Sequence, residues 1–363
     1  CVIRSNSNRY PGGGNHFRGG GVYLKGGTLT RSAVVSNLVV SPLTSWGGGV
    51  YLDAAGAVVD RCLIAYNESR NGTTPGNGGG GVEIAAGALR NSVVAANYGN
   101  GAAATTYGGG ARMDGGRMEN CTIVRNAANG NASDGGGVYR FAGAITNCIF
   151  YYNTTRTGGA VVNAMTNAVY SCAPELTNGL GNITGDPGFT APGSGAGLSA
   201  LYGDYHLLPR TPCVDAGTNI AVAVDYDGNP RPADGNGDGV ARMDMGAYED
   251  NPSLDPLRCN FFASTNFGIG SATVVFTGYA EGANTNGLVY FWDFENDGAV
   301  NTNGAGLAVV TNSYLAYGLF PVSLTVSNAV SGAVTLVKPG LVAVLADADA
   351  YVAPGGTHTF PFD

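Results

Sequence analysis

One core motif recurs six times in the first half of this chain, at an interval too short for a separate domain and too regular for chance. Its copies are Cys1-Val-Ile-Arg-Ser-Asn6, Ser32 to Asn37, Cys62-Leu-Ile-Ala-Tyr-Asn67, Ser92 to Asn97, Cys121-Thr-Ile-Val-Arg-Asn126 and Cys148-Ile-Phe-Tyr-Tyr-Asn153, and their first positions lie 31, 30, 30, 29 and 27 residues apart. Between copies runs a glycine block leading into a short apolar stretch: Gly21-Val-Tyr-Leu24, Gly49-Val-Tyr-Leu52, Gly81-Val-Glu-Ile84, Gly110-Ala-Arg-Met113 and Gly137-Val-Tyr-Arg140. A third stretch, such as Ala57-Val-Val-Asp60 or Ala88-Leu-Arg-Asn91, lies between the two. Three short strands per repeat, separated by glycine and asparagine and never showing a helical period, predict one coil of a parallel β-helix per repeat.

Stacked coils turn sequence columns into physical ladders. Ile3, Val34, Ile64, Val94, Ile123 and Phe150 are apolar in every copy and form the expected inward stack. Two positions earlier, Cys1, Ser32, Cys62, Ser92, Cys121 and Cys148 read as small inward side chains, because free cysteine behaves as a small hydrophobe. The cysteines lack Cys-x-x-Cys spacing and total seven, an odd number that suits neither a full disulfide set nor a metal cage. The Asn6-to-Asn153 column falls where each strand must turn, and asparagine both tolerates positive φ and bonds neighbouring backbone. Strand alternation places Tyr23, Tyr51, Glu83, Arg112 and Tyr139 on the outside of the glycine-led strand. That stripe reads either as a platform for glycan or a partner, or as a solvated β-face with Glu83 and Arg112 paired between coils.

Composition removes several function classes. Charged residues are only 12% of the chain and the net charge is −8, so no basic face for nucleic acid is expected. No apolar run reaches the ~20 residues of a membrane helix. Glycine, 60 of 363 residues, comes in blocks without collagen's period of three. The charge divides unevenly: residues 1–172 carry 13 Lys and Arg against 7 Asp and Glu, and residues 173–363 carry 5 against 19. Such a split accompanies acidic loops or steers head-to-tail association.

The Gly-Gly-Gly-Val-Tyr-Leu and Asn-Cys-Thr-Ile-Val-Arg-Asn motifs resemble those of bacterial right-handed β-helix repeat proteins of the pectate-lyase-like superfamily. Residues 186–250, with Asp186-Pro-Gly-Phe189, Pro212-Cys-Val-Asp-Ala-Gly217, Asp227-Gly-Asn-Pro-Arg231 and Asp244-Met-Gly-Ala-Tyr-Glu249, resemble the segment that closes the solenoid in large surface proteins of this type. Trp292-Asp293-Phe294, followed by Tyr317-Gly318 and Val322-Ser-Leu-Thr-Val-Ser-Asn328, resembles the polycystic-kidney-disease (PKD) domain, a β-sandwich used as an extracellular spacer. These resemblances imply an all-β chain: a parallel β-helix over 1–250, a linker at 251–257, an immunoglobulin-like sandwich over 258–345 with Trp292 as its core anchor, and a tail at 346–363. The tail, Tyr351 to Asp363, looks like the strand that opens a following β-helix or meets a neighbouring subunit, so a parent of alternating beads is expected.

Two acidic loops are candidate calcium sites. Asp234, Asn236 and Asp238 alternate before Gly239, with Asp244 as a further carboxylate; Asp293, Glu295 and Asp297 repeat the spacing before Gly298 and gain support from the PKD resemblance. Catalysis finds less to work with. The first 172 residues hold only Asp53, Asp60, Glu68, Glu83, Asp114, Glu119 and Asp134, none adjacent to another, with Asp53 and Glu83 the pair nearest to converging. His16, His206 and His358 lie far apart in sequence. The expected function is therefore a non-enzymatic, secreted structural or adhesive protein of the bacterial surface, built as a head-to-tail polymer of itself or holding surface polysaccharide. The rival readings are a polysaccharide lyase or hydrolase and a non-catalytic glycan-binding module.

Overall fold

In a computed structural model the described residues are 1–9, 16–71, 77–101, 106–130, 134–156, 165, 167–253 and 255–345; the expected tail at 346–363 lies outside them. The chain divides into two units, Cys1–Asn251 and Pro252–Asp363.

The first unit is a parallel β-solenoid whose coil carries five short strands rather than the three expected. Ladder A runs Val2–Arg4, Ala33–Val35, Leu63–Ala65, Val93–Ala95, Thr122–Val124 and Ile149–Tyr151. Ladder B follows the asparagine, from Ser7–Arg9 through Leu38–Ser41, Glu68–Asn71, Tyr98–Gly101 and Ala127–Gly130 to Thr154–Thr155. Ladder C is the two-residue strands Phe17–Arg18, Ser45–Trp46, Asn77–Gly78 and Thr106–Tyr107 just before each glycine block. Ladder D is the glycine-led strand, Val22–Leu24 to Val138–Arg140, and ladder E runs from Gly27–Thr30 to Ala144–Thr146. Ladders B and C escaped the sequence reading because neither keeps an apolar column from coil to coil: in ladder B the apolar Leu38–Ser41 stacks on the polar Glu68–Asn71, and the ladder C strands are only two residues long.

The register carries the expected columns. Ile3 pairs with Val34, Val34 with Ile64, Ile64 with Val94, Val94 with Ile123 and Ile123 with Phe150. All but Ile3 are completely buried, in a core shared with Leu52, Ile84, Met113, Leu89 and Met118 from ladders D and E. Cys62, Cys121 and Cys148 are buried thiols of that same core, and no cysteine is bridged.

The asparagine column bonds backbone along the stack as expected, but it is not the left-handed position. The left-handed residue is the one before each asparagine: Ser5, Ser36, Tyr66, Ala96, Arg125 and Tyr152 all have φ between 55° and 57°. Such a conformation disfavours these side chains by roughly 1–2 kcal/mol each, and the asparagines hold it. Asn67 donates from its backbone N–H (2.9 Å) and its Nδ2 (3.0 Å) to Oδ1 of Asn97, and Nδ2 also donates back to the Val34 carbonyl at 2.8 Å. The same three bonds recur at Asn37, Asn97 and Asn126.

The glycine blocks exist because backbone must lie against that ladder. A Cβ on Gly48 would stand 2.2 Å from the Gly80 carbonyl oxygen, and one on Gly49 would stand 2.7 Å from Nδ2 of Asn67. The triplet is therefore the sequence counterpart of the asparagine column.

Residues 186–250 do more than close the last coil. They run along the outer face of ladder A, forming a second core in which Phe189, Tyr205, Leu207, Cys213, Val214, Met245 and Ala247 meet Val93, Ala95, Val124, Ile149 and Cys172. Polar ties follow the same path: Arg125 donates to the carbonyls of Gly193 and Gly195, Tyr66 to Ala200, and Arg231 to Asn91.

The second unit is a sandwich. One sheet holds Arg258–Ala263, Ala272–Glu281 and Val309–Tyr314; the other runs Phe267–Ile269, Gly332–Leu345, Gly318–Asn328, Val289–Asp293 and Thr302–Gly304. Alternate residues of Ala272–Glu281 point inward, as a one-face-buried strand requires. Trp292 is fully buried against Phe261, Phe276 and Phe294, and its indole N–H donates to the Leu307 carbonyl at 2.8 Å.

Candidate binding face

Ladder D brings the five stripe residues into one column: Tyr23 pairs with Tyr51, Tyr51 with Glu83, Glu83 with Arg112 and Arg112 with Tyr139. They are not uniformly exposed as expected. Tyr23 is 41% exposed, but Tyr51 and Glu83 are buried at 5% and 1%. The cover comes from ladder C, whose outward column is Arg18, Trp46, Gly78 and Tyr107, continued by Asp134.

The two columns interleave rings and cations. Arg18 lies 5.1 Å from the centroids of both Trp46 and Tyr51, His16 stacks on Trp46 at 5.2 Å, and Tyr23 meets Tyr51 at 5.4 Å. Further along, Tyr107 packs on Tyr139 at 4.4 Å, with Phe141 against both and Arg112 over Tyr107 and Phe141. Phe141 remains 59% exposed, and a cleft of about 420 Å³ opens among His16, Phe17, Arg18 and Tyr23. Each ladder C residue immediately precedes a glycine block, so the column was readable in the sequence once the blocks were aligned.

Glu83 sits at the centre. Its Oε1 is 3.4 Å from Nε of Arg112, which turns a bidentate pair of 3.0 Å bonds on Asp114. Gly78 leaves room for this group, since a Cβ there would lie 2.4 Å from Cδ of Arg112 and 3.0 Å from Oε2 of Glu83. Burial pushes the Glu83 carboxyl well above its ordinary range; Arg112 opposes that and Asp114 adds to it. Burial also raises the Tyr51 phenol to about 12, against the pull of Arg18. Asp53 is engaged elsewhere, accepting the Tyr23 hydroxyl at 2.5 Å. The carboxylate beside Glu83 is thus Asp114 from the next coil, a neighbour that linear spacing did not single out.

The closing segment gathers a second polar cluster. Arg231 and Glu249, both with fully buried side chains, pair at 2.9 Å, and Asp225, Asp244 and Asp250 join them through backbone N–H donors. Asp244 accepts from the N–H groups of Asp215 and Asp250. In that loop Asp234 accepts from Gly237, Asp238 and Gly239, Asn236 accepts from Asp238, and Asp238 accepts from Val240.

The sandwich has its own comparison. The PKD domain family matches residues 260–338. Residues 260–338 are a PKD domain. No curated protein and no solved structure matches the chain. In the PKD domain Asp293 accepts from the N–H groups of Glu295, Asp297 and Gly298, and Asp297 accepts from Ala299. Both acidic loops thus close on their own backbone. Among the described residues no three His, Cys, Asp or Glu side chains come together as a candidate metal group. No helix among the described residues is long and apolar enough to cross a membrane.

Proposed function

We propose that the chain is an extracellular structural or adhesive protein of a bacterial surface, in which the solenoid is a stiff non-catalytic scaffold, the PKD domain a spacer, and the face of ladders C and D the contact surface for a glycan. A β-solenoid joined to a PKD domain supports the extracellular, adhesive class. One observation carries the contact surface: Tyr23, Trp46, Tyr107, Tyr139 and Phe141 share that face with Arg18 and Arg112, a mixture of aromatic planes and cations suited to sugar rings that bear acidic groups. The non-catalytic reading draws support from Glu83, which is sealed beneath Arg112 and has no approach for a substrate oxygen.

The test is binding of the intact protein to a panel of neutral and acidic polysaccharides, with Tyr23→Ala and Phe141→Ala beside the wild type. Binding weakened about tenfold or more in both variants, a loss of at least ~1.4 kcal/mol, supports the reading. Equal binding removes the face from the proposal, and release of reducing or unsaturated sugar ends replaces adhesion by catalysis.

The charge division favours a second form of the same scaffold, head-to-tail association of copies through a basic first half and an acidic second half. Sedimentation at rising protein concentration checks it: salt-sensitive polymer supports association, and a monomer throughout excludes it.

A further inference from the structure

Each sheet of the sandwich has two edges, and three of the four are blunted. Phe267–Ile269 and Thr302–Gly304 are only three residues long. On Arg258–Ala263 the backbone of Phe261 is already taken: its N–H donates to Oδ1 of Asn260 at 2.8 Å, and its carbonyl accepts from the Lys338 ammonium at 2.6 Å. Short strands and lysines guard a sheet edge against pairing with another chain. The fourth edge, Val309–Tyr314, is six residues long and carries no charge, proline or glycine. Among the described residues no strand pairs with it on its open side.

The direction of its backbone groups follows from the pairing. The Gly278 N–H donates to the Ala308 carbonyl at 2.7 Å, and bond-exchanging pairs alternate along an antiparallel ladder, so Val310, Asn312 and Tyr314 exchange bonds with Phe276, Val274 and Ala272. The facing strand agrees: Val275, opposite Thr311, turns its carbonyl the other way, to the Ser264 N–H at 2.8 Å. The N–H and C=O groups of Val309, Thr311 and Ser313 therefore point to the open side, and these three residues are exposed. Their surroundings are neutral, since the sequence from Gly298 to Val337 holds no Asp, Glu, Lys, Arg or His.

We propose that this edge pairs with the same edge of a second copy of the chain, antiparallel about a two-fold axis at Thr311. That register sets Thr311 opposite its own counterpart and Val309 opposite Ser313, so every outward N–H meets an outward carbonyl. Two features select a second copy as the occupant. In a chain of net charge −8, a neutral edge is where two copies approach without repulsion, and it offers nothing to attract a charged partner. Joining the two sheets also leaves only the Arg258–Ala263 edges outside, and these are capped, so growth stops at a closed dimer. The contact is separate from the glycan face and from the charge-driven association of halves.

Sedimentation of the intact chain tests it. The wild type should show a monomer–dimer equilibrium at protein concentrations up to about 1 mM, weak as befits a small interface. Dimerisation should persist from about 0.15 M to about 1 M salt, where charge-driven head-to-tail contacts are screened. At the lower salt Thr311→Lys and Thr311→Glu each set like charges opposite one another and should weaken the dimer about fivefold. Mixed one to one, the two variants should recover it, because opposite charges then face each other across the axis. Should a variant fail to fold, hydrogen exchange of the wild type decides: the amides of Val309, Thr311 and Ser313 should slow as protein concentration rises. A wild type that stays monomeric leaves the edge to a strand of another protein and overturns the proposal. A dimer untouched by both substitutions, a mixture that fails to associate, or exchange at these amides that ignores concentration overturns it as well.

Discussion

Asn97 accepts two hydrogen bonds from Asn67 on a single side-chain oxygen, one from the backbone N–H at 2.9 Å and one from Nδ2 at 3.0 Å, while donating its own Nδ2 to Asn126 at 3.0 Å. Both residues are buried, so no water replaces a partner that is removed. Asn97→Ala leaves the Asn67 N–H and amide without their acceptor, a loss of about 2–4 kcal/mol. Asn97→Asp keeps the accepting oxygen but loses the donor bonds to Ile64 and Asn126. Calorimetric unfolding should place both variants below the wild type, and an unchanged transition for Asn97→Ala would show that the ladder adds nothing to stability.

Glycine substitutions should separate by position. Gly80→Ala sets a methyl 2.2 Å from the Gly109 carbonyl oxygen, whereas Gly56→Ala meets nothing within 4 Å. The first should destabilise the solenoid by about 3 kcal/mol or more, since overpacking here pushes on backbone. The second should be neutral or stabilising by up to ~1 kcal/mol, through a stiffer unfolded chain. Chemical denaturation of both variants side by side checks the contrast.

His206 sets an alkaline limit for the closing segment. Its Nδ1 bonds Asp204 at 2.5 Å, its Nε2 bonds Asp227 at 2.8 Å, and the ring lies 4.0 Å from that of Tyr248. Burial pulls the imidazole down, but the two carboxylate hydrogen bonds outweigh it and lift it to about 9. A folded value above the unfolded one, about 6.5, means the stabilisation is complete below that unfolded value and is lost as pH rises through 9. The group is partly exposed, so the effect is about 1 kcal/mol. Melting temperatures between pH 6 and 10 should fall for the wild type across the upper part of that range, and His206→Gln should flatten this fall.

Glu83 has the opposite charge type and the same sign of dependence. A carboxyl raised in the folded state favours folding below its unfolded value, about 4.3, and loses that contribution as pH rises through the raised one. Glu83→Gln keeps the shape and removes the titration, so the variant should gain stability relative to wild type as pH rises from 5 to 9. A loss of several kcal/mol at neutral pH would instead mean that Glu83 is ionised and that its contact with Arg112 outweighs burial.

The solenoid was legible because stacking repeats a local pattern. Ile64 and Val94 fall in one column at equal spacing, and a column that stays apolar across six copies has to face inward. Trp292 was placed in the core by the PKD resemblance, and it is fully buried there. The five-strand coil was not, since Ser45–Trp46 and Asn77–Gly78 are too short and too polar for a hydrophobic period. Ladder A did carry a signal that went unused: Leu63-Ile-Ala65, Val93-Val-Ala95 and Ile149-Phe-Tyr151 are apolar at every position, the mark of a strand covered on both faces. The closing segment is that second cover.

At the binding face, linear alternation told which way Tyr51 and Glu83 point, and the sequence alone was enough for that, because a strand's side-chain direction depends only on its own backbone. Whether an outward residue meets water depends on what the rest of the coil lays beside it. Arg18 from ladder C covers Tyr51, Arg112 from the next coil covers Glu83, and Cys213 of the closing segment joins the core that holds Cys172 across 40 intervening residues. Spacing along the chain determined the repeat, the inward columns and the asparagine turns. Only the stacking of coils and the return path of the closing segment decided which charges are sealed, which rings share a face and which side chains form the second core, since these contacts are set by three-dimensional proximity between segments that carry no shared period.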